Sequence, residues 1–186
     1  MVRVGDNRPD LIVNAMDAGA RGIIVPMVNT AEEAARVVFD VKYYPEGGRS
    51  NAGQAGEWGK EFANYRDYMD TANNEMLIVV MLETNISLAN IDEICSVPGI
   101  DVLLIGPSDF SIELDVPTEY TATKYQDALA EVVAGAQRHG VAPGMYFIPP
   151  GLDENHYVDM GFKFFTVPWQ PMATAGMENA LSAIKR

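Results

Sequence analysis

The sequence predicts a parallel α/β fold in which strand and helix alternate six times along the chain. Three observations carry that prediction. Short runs of Val, Ile and Leu recur, as in "RGIIVPMV", "VVML" and "VLLIG", and read as strands covered on both faces. Between them lie stretches with apolar residues at helical spacing. No two runs are joined by a tight-turn signal, so hairpins are not expected and the connections are right-handed crossovers. Pattern alone leaves an open doubly wound sheet and a closed barrel as alternatives.

Taken in order, "MVRVG" is the first strand, with almost no lead-in. "DNRPDLIVNAMDAGA" is a helix, with Pro9 in its first turn, Leu11, Ile12 and Ala15 on one face, and Gly19 as its stop. Residues 21–28 form the second strand. "NTAEEAARVVFDVKYY" opens with a capping box, Thr30 and Glu33, and aligns Ala34, Val37, Val38 and Val41 on one side. From Pro45 to Gly59 the chain is rich in Gly and poor in large apolar residues, which predicts a long surface loop. Loops of that length are often functional, so this one is expected to border a site.

A polar, aromatic helix over residues 57–74 follows, with Trp58 and Tyr65 read as packing or contact residues. Next come a strand ending at Glu83, a short helix opened by Asn90 and Glu93, and a strand ending near Gly106. After a further loop, residues 123–138 form a helix closed by Gly140. "APGMYFIPP" is a strand, "DENHYVDMG" a short helix, "FKFFTVPWQ" a strand and "MENALSAIK" the last helix. No Gly-rich phosphate fingerprint follows any strand, which disfavours a nucleotide-binding fold.

At 186 residues, 48% apolar and 21% charged, the chain is sized and composed for a single soluble domain, taken as residues 1–186. A formal charge of −13 excludes the basic face that nucleic acids and anionic membranes require. The lone cysteine, Cys95, rules out an intrachain disulfide and suits a reducing compartment. On the apolar face of a short helix it reads as a structural thiol rather than a nucleophile. With no membrane-length apolar segment and no signal-peptide pattern, the expected location is cytoplasmic.

Two apolar runs, "VVMLETN" and "LLIGPSDFS", end in acids, Glu83 and Asp109. The carboxyl ends of adjacent parallel strands converge on the ligand site of an α/β protein. Two carboxylates brought there repel unless a cation lies between them, and a hard divalent ion is the simplest candidate. On residue pattern alone, solvated loop acids or helix caps remain the alternative.

The motifs "GARGIIVPMVNTAEEA", "KYYPEGGRS", "VVMLET", "NIDEI", "VPGIDVLLIGPSDFS" and a late "APG" strand, in register from Val2 to the last helix, resemble the HpcH/HpaI aldolases. That resemblance implies a TIM-type (β/α)8 barrel, of which this chain would supply six units, family strands 3 to 8. It implies a metal-dependent, class II, pyruvate-forming aldolase of the 4-hydroxy-2-oxo-heptanedioate or 2-keto-3-deoxy-rhamnonate kind, with a hexameric homo-oligomer whose last helix packs on a neighbour.

By position, Glu83 and Asp109 resemble the family's metal ligands, suited to Mg²⁺ or Mn²⁺ and also to Co²⁺. Arg3 resembles the arginine on the keto oxygen of pyruvate. Gly106, Pro107, Ser108 and Asp109 resemble the segment that receives the substrate carboxylate, where Pro107 has no N–H to give. Relative to the family, the chain lacks two N-terminal β/α units and a histidine motif that assists proton transfer. Neither His139 nor His156 is expected to replace it. Met81 stands where relatives often carry Gln, Asp115 where many carry Gly, and "GRS" replaces "GRG", with Arg49 read as structural.

The implied reaction is retro-aldol cleavage of a 4-hydroxy-2-oxo acid to pyruvate and an aldehyde, with oxaloacetate decarboxylation as a side activity. The alternative is an inactive fragment or relic that binds metal or a 2-oxo acid, or only assembles with partner subunits. Six strands would also leave two open sheet edges.

Overall fold

The computed structural model describes residues 1–153, 155–182 and 184. The strands are β1 (Val2–Arg3), β2 (Gly22–Val25), β3 (Leu77–Leu82), β4 (Val102–Ile105), β5 (Ala142–Met145) and β6 (Phe164–Phe165). The helices are α1 (Pro9–Asp17), α2 (Ala31–Val41), α3 (Tyr65–Glu75), α4 (Asn85–Ala89), α5 (Ile91–Cys95), α6 (Pro107–Glu113), α7 (Thr123–Arg138), α8 (His156–Met160) and α9 (Trp169–Ser182). All six strands pair in parallel, in the order β1-β2-β3-β4-β5-β6. The order never reverses, so the sheet has no topological switch point and curls like part of a barrel. The Arg3 guanidinium lies 5.8 Å from the centroid of the Tyr146 ring, bringing the first strand across to the end of the fifth. The architecture is an incomplete TIM-type barrel of six strands.

Side-chain alternation along each strand decides which residues face inward. Ile24, Val79, Met81, Val102 and Leu104 pack together inside the curl, with Phe164 and Tyr146 against them. Val79 pairs with Ile24 on one side and Val102 on the other, and Met81 pairs with Leu104, so these residues stack in layers. The intervening residues Ile23, Val25, Ile78, Val80, Leu82, Leu103, Ile105 and Met145 face the helices. There they meet Ile12 and Met16 of α1, Ala34 and Val37 of α2, Ile94 of α5 and Leu129 and Val132 of α7. Two buried faces explain why the strands read as continuous apolar runs.

Several boundaries differ from the sequence expectation. β2 stops at Val25 because Pro26 lacks a donor and Met27 turns to φ +56°. Glu33 does not complete a reciprocal box on Thr30. Its backbone N–H goes to Thr30 Oγ1 (3.2 Å), while its carboxylate takes the N–H of Asn29 (2.6 Å), one residue earlier. α3 begins at Tyr65, not residue 57, because Asn64 caps it by accepting from the Asp67 N–H. Gly56 and Gly59, both at positive φ, keep the preceding segment non-helical.

The long loop does not border the site. Ala55 and Glu57 lie against Gly19, and Arg21 stacks on Trp58 at 4.8 Å, so the loop covers the N-terminal ends of the strands. Arg49 is structural, as read: its buried side chain pairs with Asp17 (2.8 Å) and lies over the Tyr43 ring. α6 falls where a loop was read and α4 where no element was assigned, and Asn90 caps α5 without a side-chain bond, giving its Nδ2 to Asn29 O instead. β5 and β6 are shorter than their apolar runs, and α9 begins at Trp169, eight residues before the expected last helix, whose Ala183 and Lys185 lie outside the described residues. No described helix is long and apolar enough to cross a membrane.

Candidate active site

Inward alternation in β3 runs Val79, Met81 and then Glu83, one step beyond the strand. Glu83 therefore rises at the C-terminal mouth of the curl rather than into solvent, and it is buried, 3% exposed. The next residue, Thr84, caps α4 in a true capping box with Ser87, which ends the strand at that point. In β4 the same alternation brings Gly106 inward beside Glu83, and the chain then enters α6 through Pro107. A β-carbon on Gly106 would stand 2.4 Å from Glu83 Oε1, so glycine is what leaves room for the carboxylate.

Glu83 Oε2 accepts the backbone N–H of Met27 (3.0 Å), and Oε1 lies over Gly106. Burial pushes the Glu83 carboxyl above its ordinary range; the Met27 N–H opposes this, the Asp109 charge adds to it and the Arg3 charge opposes it. Asp109 is exposed on the first turn of α6, where the N–H groups of Ser108 and Asp109 have no partner within the helix. Arg3, Met81, Glu83, Gly106, Pro107, Ser108, Asp109, Tyr146 and Phe147 together line one pocket of about 180 Å³. The sequence-selected residues Arg3, Glu83, Gly106, Pro107, Ser108 and Asp109 are thus all brought to a single mouth.

This pocket suits a hard cation. It offers two carboxylates whose mutual repulsion a positive ion would relieve, one of them desolvated, in a cradle that a single β-carbon would fill. The described residues contain no cluster of three or more His, Cys, Asp or Glu placed around one metal position.

Neither histidine reaches the pocket. His139 contacts Asp92 (2.8 Å) beside Arg138, and these two partners hold the Asp92 carboxyl down to about 2. His156 contacts Gln126 (2.7 Å) beneath α8. Cys95 is buried and pushed up to about 12, chiefly by desolvation, as befits an inert thiol. Trp169 lies outside this pocket, at 70% exposure, and lines an adjoining hollow with Arg3, Tyr146 and Phe147.

Tyr146 and Phe147 were not selected from the sequence. The signal was present: alternation through Ala142, Gly144 and Tyr146 puts the tyrosine inward at the mouth, as it does Glu83. The part played by Met27 left no such signal, since it acts through its backbone N–H from a separate turn.

Residues 1–171 match the HpcH/HpaI aldolase/citrate lyase family. The chain belongs to that family. All the pocket residues lie within the matched span. Among HpcH/HpaI relatives, the chain is 34% identical over 174 residues to a hydroxypyruvate/pyruvate aldolase of Roseovarius nubinhibens, covering 90% of this chain and 64% of the relative. It is 32% identical over 157 residues to a 2-keto-3-deoxy-L-rhamnonate aldolase of Klebsiella pneumoniae, covering 83% and 57%. It is 33% identical over 183 residues to a 4-hydroxy-2-oxovalerate aldolase of Rhodococcus jostii, covering 98% and 69%. The chain therefore spans 57% to 69% of the length of these relatives. Its backbone superposes on an HpcH/HpaI aldolase/citrate lyase family structure from Burkholderia cenocepacia with a TM-score of 0.80 at 28% identity, covering 98% of this chain and 73% of that one. An HpcH/HpaI aldolase from Desulfitobacterium hafniense shares the fold, with a TM-score of 0.83 at 24% identity and 99% and 72% coverage.

Proposed function

We propose that this chain, as a single HpcH/HpaI domain, carries the centre of a metal-dependent carbon–carbon lyase. Its reaction is retro-aldol cleavage of a 4-hydroxy-2-oxo acid to pyruvate and an aldehyde, and it also decarboxylates oxaloacetate. The observation that carries this reading is the convergence of Glu83, Asp109 and Arg3, from three separate β/α turns, on one pocket. The aldolase names of its relatives agree with it.

In this proposal Glu83 and Asp109 hold the ion, Mg²⁺ or Mn²⁺ with Co²⁺ as a substitute. A bound divalent ion there supplies Lewis acidity toward the carboxylate and keto oxygens of the 2-oxo acid. The Ser108 and Asp109 N–H groups receive the substrate carboxylate, and the segment Gly106–Pro107 brings them into place. As the C3–C4 bond breaks, its electron pair moves onto the 2-oxo group, and the 4-hydroxyl gives up its proton to water in the pocket as C4 becomes the aldehyde. Arg3 stabilises the charge that develops on the keto oxygen, because its guanidinium is permanently cationic and hydrogen-bonds that atom. The resulting enolate takes a proton at C3 to give pyruvate.

The test is release of pyruvate from a 4-hydroxy-2-oxo acid and from oxaloacetate, with and without Mg²⁺ or Mn²⁺. Metal-dependent release that disappears in Glu83→Gln and Asp109→Asn supports the lyase. The location of both histidines away from the pocket favours a second reading, in which the chain binds metal and a 2-oxo acid without turning it over. Tight Mn²⁺ binding with no pyruvate from either substrate would select that reading. Unchanged Mn²⁺ affinity in both carboxylate variants would remove the site altogether.

A further inference from the structure

Asn29, in the turn between β2 and α2, uses all four of its polar groups, each on a different partner. Its backbone N–H goes to Glu33 Oε2 (2.6 Å), its side-chain Nδ2 to Met27 O (3.0 Å), and its carbonyl takes Asn90 Nδ2 (2.8 Å). Its Oδ1 accepts the hydroxyl of Thr84. Two of these contacts reach Glu83 through one intervening residue. Met27 is the residue whose N–H holds Glu83 Oε2, and Thr84 is the residue next to Glu83 in the chain.

Met27 stands at φ +56°, a conformation that a non-glycine residue keeps only when its surroundings hold it there. The Met27 side chain is half exposed. The peptide groups on both sides of Met27 are tied: its N–H to Glu83 Oε2 (3.0 Å) on one side, and on the other its carbonyl to Asn29 Nδ2 and the Val28 N–H to Met81 O (3.1 Å) on β3. Asn29 therefore couples two turns that are separate in sequence, one supplying the Glu83 carboxylate and the other supplying its hydrogen-bond donor.

We infer that Asn29 is a positioning residue for the Glu83 carboxylate, acting through the Met27 peptide on one side and the Thr84 hydroxyl on the other. The inference rests on the proposed metal site and predicts how well that site binds. Partners that orient a metal ligand commonly govern affinity by about 10- to 100-fold. A residue that only ties two loops together would lower stability without that specific loss.

The experiment is Mn²⁺ titration by calorimetry of the full chain, with thermal melting recorded for every variant. Asn29→Ala is expected to weaken Mn²⁺ binding about 10- to 100-fold. Thr84→Val, which removes the hydroxyl, is expected to weaken binding in the same sense, and Thr84→Ser, which restores it, to bind as wild type. Ile94→Val, a core truncation on the helix-facing side, is the stability control: it lowers the melting temperature and leaves the affinity unchanged. Should Asn29→Ala fail to fold, the Thr84→Val and Thr84→Ser pair is read against Ser87→Ala, which weakens the α4 capping box and leaves the Thr84–Asn29 contact in place, and only a loss of affinity absent from Ser87→Ala supports the inference. Wild-type affinity in Asn29→Ala or Thr84→Val overturns the inference. So does a loss of affinity that the stability control reproduces. Glu83→Gln and Asp109→Asn are titrated alongside. If they too bind Mn²⁺ normally, the metal site itself has failed; if they lose binding and Asn29→Ala does not, only the role of Asn29 has failed.

Discussion

Gly106 is shaped around Glu83: the β-carbon that any other residue would carry there lands 2.4 Å from Oε1 and 2.9 Å from Cγ of the glutamate. The Gly106 backbone, at φ −92° and ψ 95°, is open to an alanine, so the restriction is steric rather than conformational. Gly106→Ala is therefore expected to fold while displacing the carboxylate. It should cost roughly 1–3 kcal/mol by overpacking and weaken Mn²⁺ binding. Truncating the opposing side chain in Gly106→Ala/Glu83→Ala should recover the lost stability, a coupling that denaturant unfolding of the double-mutant cycle would measure.

Burial raises the Glu83 carboxyl, with a sign that works against the metal-free fold at neutral pH. A carboxyl raised in the folded state favours folding below its unfolded pKa and loses that contribution as pH rises through the folded pKa. Glu83→Gln, which carries no charge to desolvate, should melt higher than wild type at neutral pH without metal. That difference should shrink as pH falls into the ordinary glutamate range. Mn²⁺ should raise the melting temperature of wild type and leave the variant unmoved. A variant that melts lower than wild type at both pH values would contradict this account.

Cys95, the last residue of α5, is buried in the helix-facing core with its thiol pushed up to about 12. Thiol-specific labelling of the native chain at neutral pH should be negligible, and complete on unfolding in denaturant. Cys95→Ser, which buries a hydroxyl in an apolar setting, should destabilise by about 1–3 kcal/mol with no change in Mn²⁺ affinity.

The described residues of α9 bury none of their side chains, and Trp169, Met172, Met177 and Leu181 are 53% to 70% exposed. The homo-oligomer implied by family resemblance would cover this helix. Met177→Glu/Leu181→Glu is expected to shift the chain toward smaller species in sedimentation velocity, because charges would be buried at that contact. An unchanged distribution would remove α9 from any interface.

Much of this was legible in the chain itself. Continuous apolar runs in "VVML" and "VLLIG" located β3 and β4, and the acids that follow them named Glu83 and Asp109, because local composition is written residue by residue. The Thr30 cap and the apolar face of α2 were legible for the same reason. Short helices were not. α4 and α6 have five and seven residues, too few for a periodic signal, and α6 came to light only once folding placed Pro107 at its first turn. The loop after Pro45 was read correctly as a loop and wrongly as a border of the site, since its length says nothing about which end of the strands it covers.

By itself, then, the sequence determined the alternation of six strands with the longer helices and the two acids that end apolar runs, which follow from local spacing and residue chemistry, while Arg3 was named by family resemblance. Tertiary structure alone decided that Glu83 would be buried over Gly106, held by Met27 and coupled to Asn29. The last two of those relationships join β/α turns more than fifty residues apart, and only the curl of the parallel sheet, driven by burial of both its faces, brings them within hydrogen-bonding distance.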